Sequence, residues 1–265
     1  MRVKTRRRLG FGFMIFALLA TFWAFTQPLP YVIVQPGPVF NVLGDNSGKP
    51  VIEVSGVPTA DSPGSLDLLT ISEYGSPGNT PSLGEILGAF FSNDKVVYPL
   101  EAFYPAGVSQ ETLRQQEQVD FENSKAAAIA AAKANLPVEV SKSLSVTLSL
   151  EKVGGPSGGL MFTLGIIDKA TQASLTGGKK IAGTGTITSD GVVGAIGGIH
   201  QKMVAAALAG DRFFLAPKEN CADVVGYVPS NLKVFPVSNV SEALAVLKVI
   251  AKDGDLRKLA VCPAK

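Results

Sequence analysis

Hydrophobic and polar positions along the chain predict strands and helices that follow one another without a fixed repeat. Residues 50–57 (PVIEVSGV) and 144–153 (LSVTLSLEKV) alternate apolar and polar side chains, as half-buried strands do. Helical patterns follow at residues 108–136, 160–173 (with a start about Ser157), 200–210 and 240–251 (with Ser241 as a candidate N-cap). The first of these is rich in Glu, Gln and Ala, with Ser109 as its predicted N-cap. We therefore predict the α+β fold class.

Changes in composition and in hydrophobic pattern divide the chain into four segments. Residues 1–27 form a basic stub and an apolar stretch, and residues 28–140 a smaller, proline-rich N-terminal α/β region. Residues 141–252 form a second domain of mixed sheet and helices, and residues 253–265 a C-terminal tail. We place the main domain boundary near residue 140 because the pattern changes from a long polar helix to alternating strands.

The start of the chain predicts a membrane anchor. Residues 1–10 carry five basic side chains and no acidic one, and residues 9–25 contain no charge. A helix over residues 9–25 covers about 26 Å, the short end of a membrane span. A cleaved signal peptide and a buried core helix are the alternatives. With an anchor, the protein is a single-pass plasma-membrane protein whose remaining chain lies outside the cytoplasm.

Composition narrows the choice of partners and cofactors. The net charge is only +2, and no basic stripe interleaved with aromatic residues occurs, so nucleic acid is not a predicted partner. Two cysteines and one histidine make no recognised metal set, so we predict no metal site and no cofactor. In an oxidising compartment Cys221 and Cys262 can form a disulfide, and two unrelated buried thiols are the alternative.

Ser157 stands out as a candidate nucleophile. It lies in GGPSGG (residues 154–159), where glycines let a substrate approach the backbone and the following helix directs unpaired N–H groups at the same point. A reactive serine needs a base for its proton and donors for the oxyanion that forms. An ordinary turn serine is the alternative, because Gly, Pro and Ser are the usual turn residues.

Two side chains compete as the base for Ser157. His200 is the only histidine, and residues 155–159 fit the G-x-S-x-G motif of Ser-His-Asp esterases, although few residues remain for the rest of that fold. Lys202 follows Gly197 and Gly198 in the first turn of a predicted helix, where burial and the helix dipole would both lower its pKa. A neutral amine there could deprotonate Ser157, whereas an ordinary surface lysine could not.

The segments GGPSGGL and TGTITSDGVVGAIGGIHQKMVAA together resemble the proteolytic domain of the Lon family of serine proteases. The resemblance covers about residues 143–250. It implies that Ser157 is the nucleophile and Lys202 the general base, 45 residues apart, and that Thr184 orients the lysine. The backbone around Gly155 and Gly158 is then the candidate oxyanion site. Many Lon enzymes have an acid where this chain has Gly154.

The N-terminal anchor, the PGP segment (residues 36–38) and the VIEVSG strand (residues 51–56) resemble a membrane-anchored branch of Lon-like proteases that lacks an ATPase and usually carries a PDZ domain. Only LPVEVSKSLS (residues 136–145) separates the long helix from the next strand, which leaves no room for a PDZ domain there. No G-x-x-x-x-G-K-[ST] motif occurs, so ATP is not a predicted partner. The resemblance implies an ATP-independent endopeptidase for flexible polypeptides, with a hexamer by analogy only.

Two other functions stay open at this point. A catalytically silent relative could bind peptides or act as a scaffold at the membrane. A small-molecule kinase of related architecture would need a phosphate loop of the P-x-x-x-G-L-S-S type, and GGPSGGLM lacks its run of serines.

Overall fold

The computed structural model describes residues 2–60, 62–151, 153–172 and 174–263, with side chains from Phe11 onward. The helices are α1 (Arg2–Phe25), α2 (Leu83–Phe90), α3 (Leu100–Phe103), α4 (Gln110–Ala134), α5 (Val138–Ser143), α6 (Gly159–Thr171), α7 (Ile199–Ala209) and α8 (Val240–Ala251). Two short 3-10 helices cover Lys218–Ala222 and Leu256–Lys258.

The strands are β1 (Tyr31–Asn41), β2 (Asp45–Asn46), β3 (Lys49–Pro50), β4 (Ile52–Ser55), β5 (Ser65–Tyr74), β6 (Val96–Pro99), β7 (Ser145–Leu148), β8 (Lys180–Gly183), β9 (Thr186–Ile187), β10 (Val193–Gly194), β11 (Phe213–Pro217) and β12 (Lys233–Val237). The mixed α and β architecture agrees with the predicted fold class.

The chain forms two compact units that do not follow the order of the sequence. The smaller unit comprises residues 1–35 and 73–110, and the larger one comprises residues 36–72 and 111–265. The four sequence segments defined above stay predictions of domain organisation.

The larger unit is built on parallel strands in the order β12-β11-β8-β5. Apolar residues of β5, β8 and β11 are fully buried, among them Leu66, Ile181 and Leu215, as strands covered on both faces require. Helix α6 is also buried along most of its length, and Phe162 packs 6.0 Å (centroid to centroid) from Phe121 of α4. The core therefore lies around α6, whose amino end is thereby held in place.

The smaller unit contains an antiparallel pair and a capped helix. Residues 31–34 of β1 pair with β6. Helix α2 begins with a capping box: the Ser82 hydroxyl accepts from the N–H of Glu85, and the Glu85 carboxylate accepts from the N–H of Ser82. The N–H and the hydroxyl of Ser82 both donate to the Glu85 carboxylate, and these two hydrogen bonds lower the pKa of Glu85.

The predicted membrane span is not supported. Helix α1 covers the apolar start of the chain, but among the described residues no helix combines the length and the mean hydropathy that crossing a bilayer requires.

Two helix starts differ from the sequence prediction. Helix α6 begins at Gly159, with Gly158 as its N-cap, rather than at Ser157. Helix α8 is capped by Asn239, whose Oδ1 accepts from the N–H of Glu242 at 2.9 Å, rather than by Ser241. Asn and Ser are equally good caps, so the sequence could not distinguish two candidates that lie two residues apart.

Replacing Gly56 with alanine is expected to destabilise the larger unit by about 2 to 5 kcal/mol. Gly56 follows β4 with φ +81°, and a Cβ there would lie 1.9 Å from the carbonyl oxygen of Ser143, so both strain and a backbone clash result. Urea unfolding measures the change. Gly48→Ala is the control, because Gly48 has φ +77° with open space, so only about 1 kcal/mol of conformational strain is expected. Equal losses in the two variants would contradict the clash.

Candidate active site

A glycine-rich turn carries Ser157 to the amino end of α6. A Cβ on Gly158 would lie 2.6 Å from Cδ1 of Leu68, and one on Gly159 would lie 2.6 Å from Cγ2 of Ile187. Both distances are too short for a real side chain, so these two positions need glycine for close packing. Ser157 itself is half-buried.

Hydrogen bonds from two directions fix this turn. From α4, the carbonyl of Glu117 accepts from the N–H of Gly155 at 2.9 Å, and the Ser124 hydroxyl donates to the carbonyl of Pro156 at 2.9 Å. From the connection between β8 and β9, the N–H of Gly185 donates to the carbonyl of Ser157 at 2.9 Å. The turn is therefore held by its neighbours on both sides of the nucleophile.

Lys202 reaches Ser157 from α7. Its Nζ donates to Oγ of Ser157 at 2.6 Å and to Oγ1 of Thr184 at 3.1 Å. The Thr184 hydroxyl in turn donates to the carbonyl of Ser157 at 3.1 Å. The structure thus brings the three residues together in one closed set of hydrogen bonds, although 45 residues of chain separate the serine from the lysine.

Burial determines the charge state of this lysine. Lys202 is 3% exposed, and Thr184 is fully buried. Removal from water lowers the pKa of Lys202 to about 7, since the ammonium form loses its hydration. A neutral amine is therefore well populated near neutral pH, within hydrogen-bonding distance of a hydroxyl.

The start of α6 offers donors for a developing negative charge. Within the described residues, no backbone carbonyl or side chain accepts from the N–H groups of Ser157 and Gly158. Unpaired N–H groups at a helix start favour anions. Gly155 has φ +76°, and no described atom lies within 4 Å of the position that a Cβ would take there.

His200 lies on α7 but does not take part in this set. Its ring packs 4.3 Å (centroid to centroid) from that of Tyr227, and burial lowers its pKa. Across the described part of the chain, His200 makes no hydrogen bond to Ser157, whose hydroxyl is bonded by Lys202 instead. The geometry favours the lysine over the histidine as the partner of Ser157.

The two cysteines also lie together. Cys221 and Cys262 form a disulfide, with their Cα atoms 5.1 Å apart. Cys221 belongs to the 3-10 helix Lys218–Ala222, and Cys262 is buried.

Three further polar features were not predicted from the sequence. Ser124 sits inside an alanine-rich helix, where nothing distinguishes a bracing hydroxyl from a surface one. Asn220 makes side-chain hydrogen bonds to Ile196. Asp67 and Asp211 are buried against each other. Each depends on contacts between residues far apart in the chain, so local patterns could not reveal them.

Comparison with known proteins identifies the part of the chain that carries this site. Residues 150–250 match the family model of the Lon protease (S16) C-terminal proteolytic domain. The chain is 36% identical over 94 residues to Lon protease of Rhizobium meliloti (strain 1021) and 38% identical over 93 residues to that of Brucella suis biovar 1 (strain 1330). In both cases the match covers 34% of this chain and 11% of the relative, so the chain spans about a tenth of the length of these proteins.

Proposed function

We propose that this protein is a serine endopeptidase with a Ser-Lys dyad, in which Ser157 is the nucleophile and Lys202 the general base. The observation that carries the proposal is the 2.6 Å contact between a buried amine and the hydroxyl of Ser157. The match of residues 150–250 to a proteolytic domain supports the same reaction class. A silent scaffold would not need to keep a lysine neutral beside a serine.

The residues act in two half-reactions. Neutral Lys202 takes the proton of Ser157 while Oγ bonds to the carbonyl carbon of the scissile peptide, and the N–H groups of Ser157 and Gly158 bind the oxyanion. The protonated lysine then gives its proton to the leaving amine, and the C–N bond breaks to leave an acyl-enzyme. Water, deprotonated by Lys202, hydrolyses that ester and regenerates the Ser157 hydroxyl. Thr184 holds the lysine in line throughout.

We further propose that its substrates are flexible or unfolded polypeptide segments and that cleavage needs no ATP. The chain contains no phosphate-binding loop of the G-x-x-x-x-G-K-[ST] type with which to couple ATP to unfolding. The Cys221–Cys262 disulfide supports action in an oxidising compartment outside the cytoplasm. Assembly into a ring stays a prediction by analogy.

Incubation of the purified protein with casein in the absence of ATP tests this function. We expect cleavage products by mass spectrometry, and covalent labelling of Ser157 by a fluorophosphonate. A tightly folded protein of similar size, left intact under the same conditions, would support the preference for flexible segments. Peptide binding without cleavage and without labelling would instead favour the silent scaffold.

The rate of cleavage is expected to rise with pH through about 7. The base must be neutral, and Lys202, whose pKa burial lowers to about 7, becomes protonated below that value. In the free enzyme kcat/KM should then fall about tenfold for each pH unit below about 7, which gives the pH profile an acid limb. A pH profile measured on a short unstructured peptide checks this. His200→Ala should leave the limb in place, whereas loss of the limb in that variant would point to the histidine as the base.

A further inference from the structure

A short glycine-rich segment delivers Lys202 to Ser157. Residues 195–198 (AIGG) connect β10 to α7, and two of these four residues are glycine. Such a segment has wide backbone freedom. Its last residue, Gly198, has φ +67°, and the N–H of Lys202 donates to its carbonyl at 3.1 Å. The conformation of this segment therefore sets where the lysine side chain begins.

One side chain holds the middle of this segment. Oδ1 of Asn220 accepts from the N–H of Ile196 at 3.0 Å, and Nδ2 of Asn220 donates to the carbonyl of Ile196 at 3.1 Å. Nδ2 also donates to Oδ2 of Asp223 at 2.8 Å. The amide thus pairs with both backbone groups of a single residue, as a neighbouring strand would.

Among the described residues, only Asn220 makes hydrogen bonds to the middle of this segment. In the described ranges, the hydrogen bonds to the backbone of residues 195–197 all come from Asn220. Asn220 is 4% exposed, so water cannot readily replace it. The next residue, Cys221, is fixed by the disulfide to Cys262, which anchors the short helix that carries the amide.

We propose that Asn220 is a positioning residue for Lys202: by clamping Ile196, it holds the segment that keeps the lysine amine buried against Ser157. This inference rests on the proposed Ser-Lys function. Asn220 touches neither the serine nor the lysine, so it acts through the segment 195–198. When the clamp is lost, the segment gains freedom, water reaches the amine, and the distance between Nζ and Oγ is no longer fixed.

The test compares Asn220→Asp and Asn220→Ala with the wild-type protein. The aspartate variant keeps the side-chain volume but loses the donation to Ile196, and the alanine variant loses both bonds. We expect fluorophosphonate labelling of Ser157 to slow by about 10- to 100-fold in the alanine variant, because small displacements of reacting groups are costly. The acid limb of the labelling rate against pH should move upward by about one unit, since a hydrated amine is more basic.

Asp223→Asn is the matched control. It changes the third partner of the Asn220 amide but leaves both bonds to Ile196, so the acid limb should stay where it is in the wild-type protein. A purely structural role for Asn220 would lower the thermal midpoint without moving the limb, and that outcome would overturn the proposal.

Hydrogen exchange separates this inference from the proposed function. In both Asn220 variants, amide exchange should accelerate by at least tenfold in residues 195–202 and stay unchanged in α6. If the wild-type protein is not labelled at Ser157, the proposed function fails, and the clamp is judged by exchange alone. Unchanged exchange in residues 195–202 would overturn the clamp whatever the labelling shows.

Discussion

Replacing Lys202 with methionine is expected to lower kcat/KM for an unstructured peptide by about 100- to 10,000-fold, the usual contribution of a general base. Methionine has nearly the length of the lysine stem and suits a site that is 3% exposed. The fold should therefore stay intact, with a thermal midpoint equal to or above that of the wild-type protein, because no amine is buried any longer. Ser157→Ala should lower cleavage at least as much, since no acyl-enzyme can form.

Combining the two substitutions gives a sharper result than either alone. If serine and lysine act as one unit, the double variant should be no slower than Ser157→Ala, so the effects are not additive. His200→Ala is the control on the same helix and should keep most of the activity. Full activity in Lys202→Met, or multiplicative losses in the double variant, would contradict the dyad.

The second large effect concerns stability and pH. Asp67 and Asp211 are both buried, and burial raises the pKa of each. Burial, followed by the charge of Asp67, raises the pKa of Asp211 to about 8. Ser65 donates to Oδ2 of Asp67 at 3.1 Å, whereas neither Oδ atom of Asp211 has a hydrogen-bond partner among the described residues. The ionised form of Asp211 is therefore disfavoured in the folded protein.

The sign of the effect follows from the raised pKa. Between about pH 4 and 8 the folded protein binds a proton that the unfolded chain releases, so stability falls as pH rises through this range. The slope is at most about 1.4 kcal/mol per pH unit, or about 4 kcal/mol between pH 5 and 8. Asp211→Asn removes the carboxyl that takes up this proton and should flatten the slope of stability against pH.

Urea unfolding of both proteins between pH 5 and 9 measures the difference. Asp211→Asn should be the more stable protein at pH 8, with a thermal midpoint higher by about 2 to 4 °C for each kcal/mol. The exposed Asp45 gives a control, because Asp45→Asn should keep the wild-type slope. Parallel slopes in the wild-type and Asp211→Asn proteins would contradict the raised pKa of Asp211.

The sequence identified the residues of the candidate site but not the residues that hold them in place. It indicated that the glycines around Ser157 give room for a substrate, and the structure shows that a Cβ at Gly158, Gly159 or Gly198 would clash with Leu68, Ile187 or Ile71. Local composition thus located Ser157 and Lys202, which the structure then places 2.6 Å apart. Their catalytic roles stay proposals.

The residues that hold the site could not be found in the same way. Ser124, Asn220 and Asp211 are ordinary polar residues in sequence, and each acquires its role only through a partner 24 or more residues away in the chain. Their burial distinguishes them, and burial is a property of the fold. The membrane span expected from the apolar start of the chain stays unsupported, since no helix among the described residues is long and apolar enough to cross a bilayer.

The C-terminal segment that carries Cys262 affects how the outer strand of the sheet can pair with other chains. Strand β12 is the last strand in its sheet order, and the N–H of Cys262 donates to the carbonyl of Val234 in that strand at 3.0 Å. The bond to Cys221 ties the tail there across a separation of 41 residues. An uncovered outer strand invites intermolecular β-pairing and aggregation. The segment around Cys262, fastened by the disulfide, therefore occupies part of this edge and leaves less of β12 open to pairing with other chains.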